Sequence, residues 1–396
     1  MPVTVDFLLS SLFAFVGGHM VNYTLILYLQ ERVGSDVLAG VGFGLCFGSS
    51  IIFGWFAGVL ADRLHPARLI HLAHVLFVVC LCGMLWAEIG ADDAQRVTAI
   101  MLSAFCGGLG WSVFGSARMA TLGQITPPEK LRPITILFNL QVMIGFGLAP
   151  LVIGTVRSHG GWPQVMLTAI GFYVVSSLLL LRVRSKPRAA DVETRPVLQE
   201  IADGFATVGA NRLLMQLMFA AMIGFAVTGP LQILLPKLAR EVLGLSEMER
   251  GAFLGLFAVA LILGGIIALP LGKHVHHGKT IFGGMFLVGL VFAALSQATS
   301  VVTACAGLLL IGICAGTAIS FIVAGVQAQA PAAMRGRVMS MYSIISQVIP
   351  AASGVVAGIV VKAQGVSIAI LSAGLTLALL AITAAVLMPI LRRQAH

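Results

Sequence analysis

The sequence contains very few charged residues. Asp, Glu, Lys and Arg make up 10% of its 396 residues, whereas hydrophobic residues make up 59%. A soluble globular protein carries about 25% charged residues, so this chain cannot cover its surface with charge. Apolar runs recur along the chain, each long enough to cross the roughly 30 Å hydrocarbon core of a bilayer. The composition therefore predicts a helical membrane protein in contact with lipid on most of its surface.

The chain also lacks the sequence marks of several other classes. It contains no phosphate-binding loop of the form G-x-x-x-x-G-K-[ST], so we do not expect ATP to drive it directly. It has no hydrophilic stretch long enough for a soluble enzyme domain, and we do not expect an enzyme. The formal charge of +9 lies mainly in short loops, which fits a membrane protein better than a nucleic-acid-binding protein.

No cofactor or metal is expected. The histidines of KHVHHGK (273–279) have no acid or cysteine beside them, and a zinc site needs three or four converging ligands. We interpret this stretch as a basic loop that fixes topology. We interpret His71 and His74 in the same way.

The apolar runs predict an all-α membrane protein with twelve transmembrane helices. A polar stretch with two prolines, RVRSKPRAADVETRPVLQE (182–200), separates six runs from the other six. We therefore predict an N-terminal six-helix bundle over 1–182, a cytosolic linker over 183–210 and a C-terminal six-helix bundle over 211–396. The predicted spans are 7–30, 37–61, 67–87, 97–122, 132–156, 163–182, 211–236, 250–271, 280–298, 301–329, 337–361 and 366–390.

The basic residues predict the orientation. If the N-terminus is inside, sixteen of the 24 Lys and Arg residues lie in cytosolic loops and ends, seven lie in outer loops, and Arg118 alone lies within a span. Lys and Arg accumulate on the cytosolic side of membrane proteins. Both termini are therefore expected in the cytosol, with the first apolar run kept as a span.

The two halves resemble each other in sequence. QITPPEKLRPITILFN (124–139) aligns with QAQAPAAMRGRVMSMY (327–342), so that a Gln, a Pro and an Arg coincide in the two copies. Each copy links the fourth and fifth spans of its half. A parallel repeat of two pseudo-symmetric bundles is typical of transporters that rock about a site near the bilayer midplane.

The stretch GVLADRLHPARL (58–69) resembles the loop between spans two and three of the major facilitator superfamily. Gly58, Asp62 and Arg63 match the pattern G-x-x-x-D-R-x-G-R-[RK], and the resemblance in spans, loops and repeat extends over the whole chain. RGRVMSMY (335–342) and FGSARMATLGQITPPEKLRP (114–133) are similar to the macrolide-efflux and siderophore-exporter branch, which contains drug–proton antiporters.

The resemblance implies a breakable gate on the cytosolic side. Its expected members are Gly58, Asp62, Arg63, Arg118 and Arg335. Arg118 is an embedded arginine, which needs a carboxylate or carbonyl partner, and Asp62 is the nearest plausible one. The alternative is that these charges only fix topology.

Span five contains GFGLAPLVIG (145–154), which resembles the antiporter motif of exporters. Gly145, Pro150 and Gly154 match, whereas Ala149 and Ile153 replace two glycines. Small residues let helices approach closely, so this stretch is expected to form a tight helix contact. Ordinary packing of small residues is the alternative.

Span one lacks the embedded carboxylate that often carries the proton in drug–proton antiporters. His19 stands at that place, with Asn22 and Tyr23 on the same helix face. A histidine titrates near neutral pH, so His19 is the candidate for proton coupling. A neutral histidine bonded to a neighbouring helix is the alternative.

The remaining polar residues in the spans are uncharged and scattered among apolar ones, which suits an apolar or amphipathic substrate. Bonding between helices is an alternative role for each of them. The candidates for lining a substrate cavity are Asn22, Tyr23, Asn139, Thr228, Gln232, Ser320, Tyr342, Ser346 and Gln347.

These features predict a secondary transporter that works by alternating access. We expect proton-coupled export of a small compound, such as a drug, siderophore or lipid-like metabolite, by a monomer in a bacterial-type inner membrane. One alternative is an uncoupled facilitator or importer of the same fold. Another is a membrane assembly or sensing partner that transports nothing.

Overall fold

The computed structural model describes residues 2–54, 56, 65–183, 197–272, 274–331 and 334–394. Within these ranges the chain is almost entirely helical and contains no strand. Eleven helices are long and apolar enough to cross a membrane. They are Val3–Glu31, Asp36–Gly54, Pro66–Ile89, Asp93–Ile125, Glu129–His159, Trp162–Leu180, Arg212–Val242, Glu247–Leu271, His277–Gln297, Val301–Gln329 and Arg335–Leu387.

The longest of these helices contains two spans. Arg335–Leu387 has 53 residues and is interrupted at Gly365, whose φ of 81° and ψ of 171° are not helical. Only glycine adopts this backbone conformation readily, because it has no Cβ. The break divides the helix into spans eleven and twelve. The described helices thus confirm the predicted fold class, and we number the spans one to twelve in chain order.

Polar residues at the helix ends explain why most spans extend beyond their predicted bounds. Span two begins after Ser35, whose side chain accepts a hydrogen bond from the amide of Leu38. Span four begins after Asp92, which forms a capping box with Gln95. Such caps satisfy the free amides of the first turn. They are polar, so an apolar run does not include them.

The chain divides into two compact units. The first comprises Met1–Thr194 and Ser246–Gly255, and the second comprises Arg195–Leu245 and Leu256–His396. The N-terminal turns of span eight therefore belong to the first unit. The region predicted as a linker over 183–210 contains a helix, Val197–Ala210. This helix belongs to the second unit, where Asp203 accepts a hydrogen bond of 2.8 Å from Arg337.

Span one forms the centre of the first unit. In its most apolar 18-residue window 83% of the residues are buried, whereas that share is 33–44% in spans two to six. Span one packs against spans two, five and six. Side chains on several of its faces are therefore enclosed by protein, which is where polar groups in a membrane helix find partners.

Candidate functional site

The polar face of span one contacts spans two, four and five, and the contact with span two is a hydrogen bond from Cys46 Sγ to Asn22 Oδ1. Asn22 Oδ1 accepts a hydrogen bond of 3.1 Å from Trp111 Nε1 in span four. The rings of His19 and Tyr23 lie 5.2 and 5.6 Å from the ring of Phe146 in span five. The His19 ring also lies 5.4 Å from that of Trp111. The three residues that the sequence placed on one face thus share two aromatic neighbours.

His19 is buried and its hydrogen bonding is incomplete. Only 9% of its surface is exposed, and one hydrogen bond goes to the backbone of Val142. Its Nε2 has no partner among the described residues, and neither has the Asn22 Nδ2. Buried polar atoms in native proteins are nearly always paired. Two unpaired atoms one helix turn apart therefore indicate a place for water, a proton or a polar group of a ligand.

Arg118 is fully buried in the first unit, and its hydrogen-bond partners among the described residues are neutral groups. Its Nη1 donates to Ser11 Oγ at 2.6 Å. Its Nη2 lies within hydrogen-bonding distance of the Ser10 carbonyl, Ser176 Oγ and His74 Nε2, at 3.5, 3.2 and 3.0 Å. None of these described partners is a carboxylate. The guanidinium therefore joins spans one, three, four and six through neutral acceptors.

His74 lies in the predicted third span (67–87), but from the sequence it was given only a topology role. Span three begins at Pro66, so His74 lies two turns inside the helix, and only 2% of its surface is exposed. Its Nδ1 lies 2.7 Å from Ser177 Oγ in span six. The signal that could have found it is position, because a histidine deep inside a membrane helix is rare and needs a partner.

Among the other residues of the predicted cytosolic gate, only Arg335 lies in the described part of the chain. Gly58, Asp62 and Arg63 lie outside the described residues, so the expected pairing of Asp62 with Arg118 stays a prediction. Arg335 is exposed at the start of span eleven.

Four charged side chains form a cluster that the sequence does not indicate. Arg157 donates to Glu31 and Glu247, both at 3.1 Å. Arg250 donates to the same two carboxylates at 2.6 and 2.5 Å. We call Glu31, Arg157, Glu247 and Arg250 the four-charge cluster. Each arginine bridges both carboxylates, and the cluster joins the ends of spans one and five to the start of span eight.

The four-charge cluster is partly shielded from solvent. The side chains of Glu31 and Arg250 are 13% and 11% exposed. The guanidinium of Arg157 also lies 3.9 Å from the centre of the Trp162 ring, a cation–π contact. Ion pairs at such sites are screened less by salt than fully exposed pairs. The cluster can therefore stabilise the contact between these helix ends.

Next to the cluster, span five packs against span eight through small residues. A Cβ added to Gly154 would lie 2.5 Å from the Glu247 carbonyl oxygen, and one added to Gly251 would clash with the carbonyl of Pro150. We call this contact of Pro150 and Gly154 with Glu247 and Gly251 the glycine seam. Gly145 approaches span one instead, because a Cβ there would lie 2.7 Å from Phe15 Cβ.

The cavity candidates of the second half have dissimilar surroundings. Ser320 and Ser346 donate to carbonyls of their own helices at 2.8 and 2.7 Å, a bond that needs no ligand. Tyr342 packs against Phe225, with 5.7 Å between ring centres. Thr228 is half-buried. Gln232 and Gln347 each have a buried Oε1 without a partner among the described residues.

In the first half, Asn139 is exposed on span five. It therefore differs from the buried Asn22.

In the second half, a small apolar cavity of about 20 Å³ lies between Gly224, Met285 and Leu377. This cavity is far too small for a substrate.

The long apolar helices of the described residues define a multi-span membrane protein. The sequence profile of the Major Facilitator Superfamily matches residues 7–354. The chain belongs to this superfamily. Among curated proteins, no sequence matches the chain.

Solved structures agree with this fold. A mutant of the peptide transporter POT is similar over 99% of this chain and 95% of its own, with a TM-score of 0.79 and 14% identity. The nucleoside transporter NupG, also as a mutant, matches over 98% and 99%, with a TM-score of 0.78 and 13% identity. A D-xylose–proton symporter matches over 97% and 96%, with a TM-score of 0.75 and 16% identity.

Proposed function

We propose that this chain is a secondary transporter that exports a small apolar or amphipathic compound in exchange for protons. Membership of the Major Facilitator Superfamily carries this proposal. The resemblance of span five to the exporter motif favours export, and Gly154 of that motif lies in the glycine seam. The substrate class follows from the scattered, uncharged polar residues of the spans.

His19 is our candidate for the proton carrier. It is buried, one of its ring nitrogens has no partner among the described residues, and Asn22 lies one turn away. An imidazole in such a place can accept a proton and release it on the other side once access changes. The alternative role, a neutral histidine bonded between helices, is supported by its contact with the Val142 backbone.

The test is proton flux in proteoliposomes that contain a pH-sensitive dye. The panel consists of tetraphenylphosphonium, erythromycin and a hydroxamate siderophore, and the proteins are wild type, His19→Ala and, as a control, His159→Ala. His159 is an exposed histidine at the end of span five. We expect substrate-dependent proton movement in the wild type and the control, and its loss in His19→Ala. Equal flux in all three proteins would remove His19 from the mechanism and keep antiport.

Two other functions are distinguished by the same experiment. An uncoupled facilitator or importer is favoured by the absence of an acid from the interior of the spans, and it would move substrate without protons. Similarity in fold to a solved peptide transporter and a solved D-xylose–proton symporter fits either direction. A membrane assembly or sensing partner would move no compound at all.

We also infer the location from the basic loops. Both termini lie in the cytosol, the lipid bilayer is a bacterial-type inner membrane, and the protein is a monomer. The test is a pair of reporter fusions at the C-terminus. Alkaline phosphatase should be inactive there and green fluorescent protein fluorescent, and the reverse result would overturn the orientation. Light scattering of the purified protein should give the mass of one chain.

A further inference from the structure

The contacts of His74 fix the form of its ring. Its Nε2 lies 3.0 Å from Arg118 Nη2. An arginine guanidinium has only donors, so Nε2 must be the acceptor and carry no hydrogen. The hydrogen of the neutral ring is then on Nδ1, which donates to Ser177 Oγ at 2.7 Å. In this arrangement His74 is uncharged, and the cation beside it is Arg118.

An acceptor for a second proton on the ring is already in place. Ser176 Oγ lies 3.4 Å from His74 Nε2 and 3.2 Å from Arg118 Nη2. If Nε2 gains a hydrogen, it can donate to Ser176 Oγ, while Nδ1 keeps its bond to Ser177. Arg118 loses one acceptor but keeps Ser11 Oγ at 2.6 Å. Both ring forms therefore have hydrogen-bond partners here.

The groups that face His74 set the electrostatic cost of that proton. Span four contributes the Arg118 cation, and span one contributes the neutral Ser10 and Ser11 and the Phe7 ring around the guanidinium. Span six contributes Tyr173, whose ring centre lies 5.4 Å from that of His74. On its own helix, the ring of His71 lies 6.2 Å away. No carboxylate among the described residues contacts this group, so a protonated His74 would repel the guanidinium.

We propose that His74 is a binding site for the proton that this transporter exchanges, and that the proton and the Arg118 guanidinium compete for Nε2. This deepens the proposed function, on which it rests, and adds a second histidine besides His19. Binding of the proton moves the guanidinium away from span three and towards Ser10 and Ser11 of span one. The proton load thereby changes a contact that holds four spans together.

The first test measures the proton directly and needs no substrate. Histidines of the full chain are labelled with ¹⁵N in lipid nanodiscs, and the His74 signal is assigned by its loss in His74→Gln. The variant Arg118→Gln removes the competing cation, and His65→Gln, at the start of span three, is the control. At a fixed pH between 5 and 7, Arg118→Gln should raise the ratio of imidazolium to imidazole at His74 by about tenfold or more. An unchanged ratio, or no imidazolium in either protein down to pH 4, would overturn the proposal.

The second test separates a proton site from a structural role. Glutamine at position 74 can accept from Arg118 and donate to Ser177, so it preserves the packing but cannot titrate. We expect His74→Gln to exchange substrate across the proteoliposome membrane while its proton flux is lost, whereas His74→Phe loses both. If His74→Gln keeps the proton flux of the wild type, His74 is not the proton site, whereas the proposed antiport stands. Transport without protons in the wild type would instead overturn the proposed antiport, and this proposal with it.

Discussion

Glu31 and Arg250 are 219 positions apart in the sequence, and the Arg250 guanidinium donates to the Glu31 carboxylate at 2.6 Å. Glu31 lies at the end of span one, and Arg250 lies in the first turn of span eight. The same arginine reaches Glu247, three positions earlier on its own helix. The contact joins the end of span one to the start of span eight, so a shift between these helix ends would separate the two charges. The four-charge cluster is therefore a place where conformational change can be measured.

Removal of either charge should destabilise the protein. Glu31→Gln leaves both arginines with one carboxylate fewer at a largely buried site, and Arg250→Gln leaves both carboxylates with one arginine fewer. Because the pairs are intermediate between exposed and buried, we expect each variant to lose about 1–3 kcal/mol of unfolding free energy. The measurement is unfolding by sodium dodecyl sulfate in detergent micelles.

The double variant shows whether the two charges interact. The loss for Glu31→Gln with Arg250→Gln should be about 0.5–3 kcal/mol smaller than the sum of the single losses. Arg240→Gln is the control, since Arg240 pairs with Glu241 on a more exposed surface. It should change stability by less than about 1 kcal/mol. Additive losses would show that the two charges do not stabilise each other.

The spans could be predicted from the sequence, but their contacts could not. The hydropathy of Val301–Gln329 is high throughout, so its predicted bounds agree with the structure. Hydropathy does not indicate which residue a charged side chain pairs with. Arg157 and Arg250 are two of the seven basic residues that the orientation count places in outer loops, and nothing in the local sequence indicates that they share two carboxylates.

The misreading of His74 has a similar cause. His74 was given the same topology role as the histidines of 273–279, although it lies eight positions after Pro66 at the helix start. Its role depends on Arg118, Ser176 and Ser177, which come from two other spans. By contrast, His19, Asn22 and Tyr23 are neighbours on one helix, so the face they share followed from spacing alone. Local patterns predict faces, and tertiary packing decides what each face contacts.

Side chains added to the glycine seam should separate spans five and eight. Gly154→Ala places a methyl group against the Glu247 carbonyl, where neither backbone can move easily. We expect a loss of about 1–3 kcal/mol, measured as a lower midpoint of thermal unfolding in detergent. The matched control is Gly171→Ala in span six, where an added Cβ meets nothing within 4 Å. It should be neutral or stabilising by up to about 1 kcal/mol, and equal midpoints for the two variants would contradict the close approach.

The two asparagines of the predicted cavity should respond differently to replacement. Asn22→Ala leaves Nε1 of the half-buried Trp111 without its acceptor, which costs about 1–3 kcal/mol. Asn139→Ala changes an exposed side chain and should have an effect within about 0.5 kcal/mol. Unfolding by sodium dodecyl sulfate gives the stability, and the emission of Trp111 in a variant without other tryptophans reports its lost hydrogen bond. Similar stability losses for both variants would contradict the different surroundings of these residues.

The break between spans eleven and twelve depends on one glycine. At Gly365 the backbone has a φ of 81° and a ψ of 171°. A residue with a Cβ is strained in this conformation by its own backbone, whereas the space around the added Cβ is open, with no neighbouring atom within 4 Å. Gly365→Ala should therefore cost about 1–3 kcal/mol through backbone strain alone. Gly336→Ala, in a helical conformation with equally open space, should gain up to about 1 kcal/mol. The measurement is thermal unfolding of both proteins, and an unchanged midpoint for Gly365→Ala would contradict the strained backbone at this position.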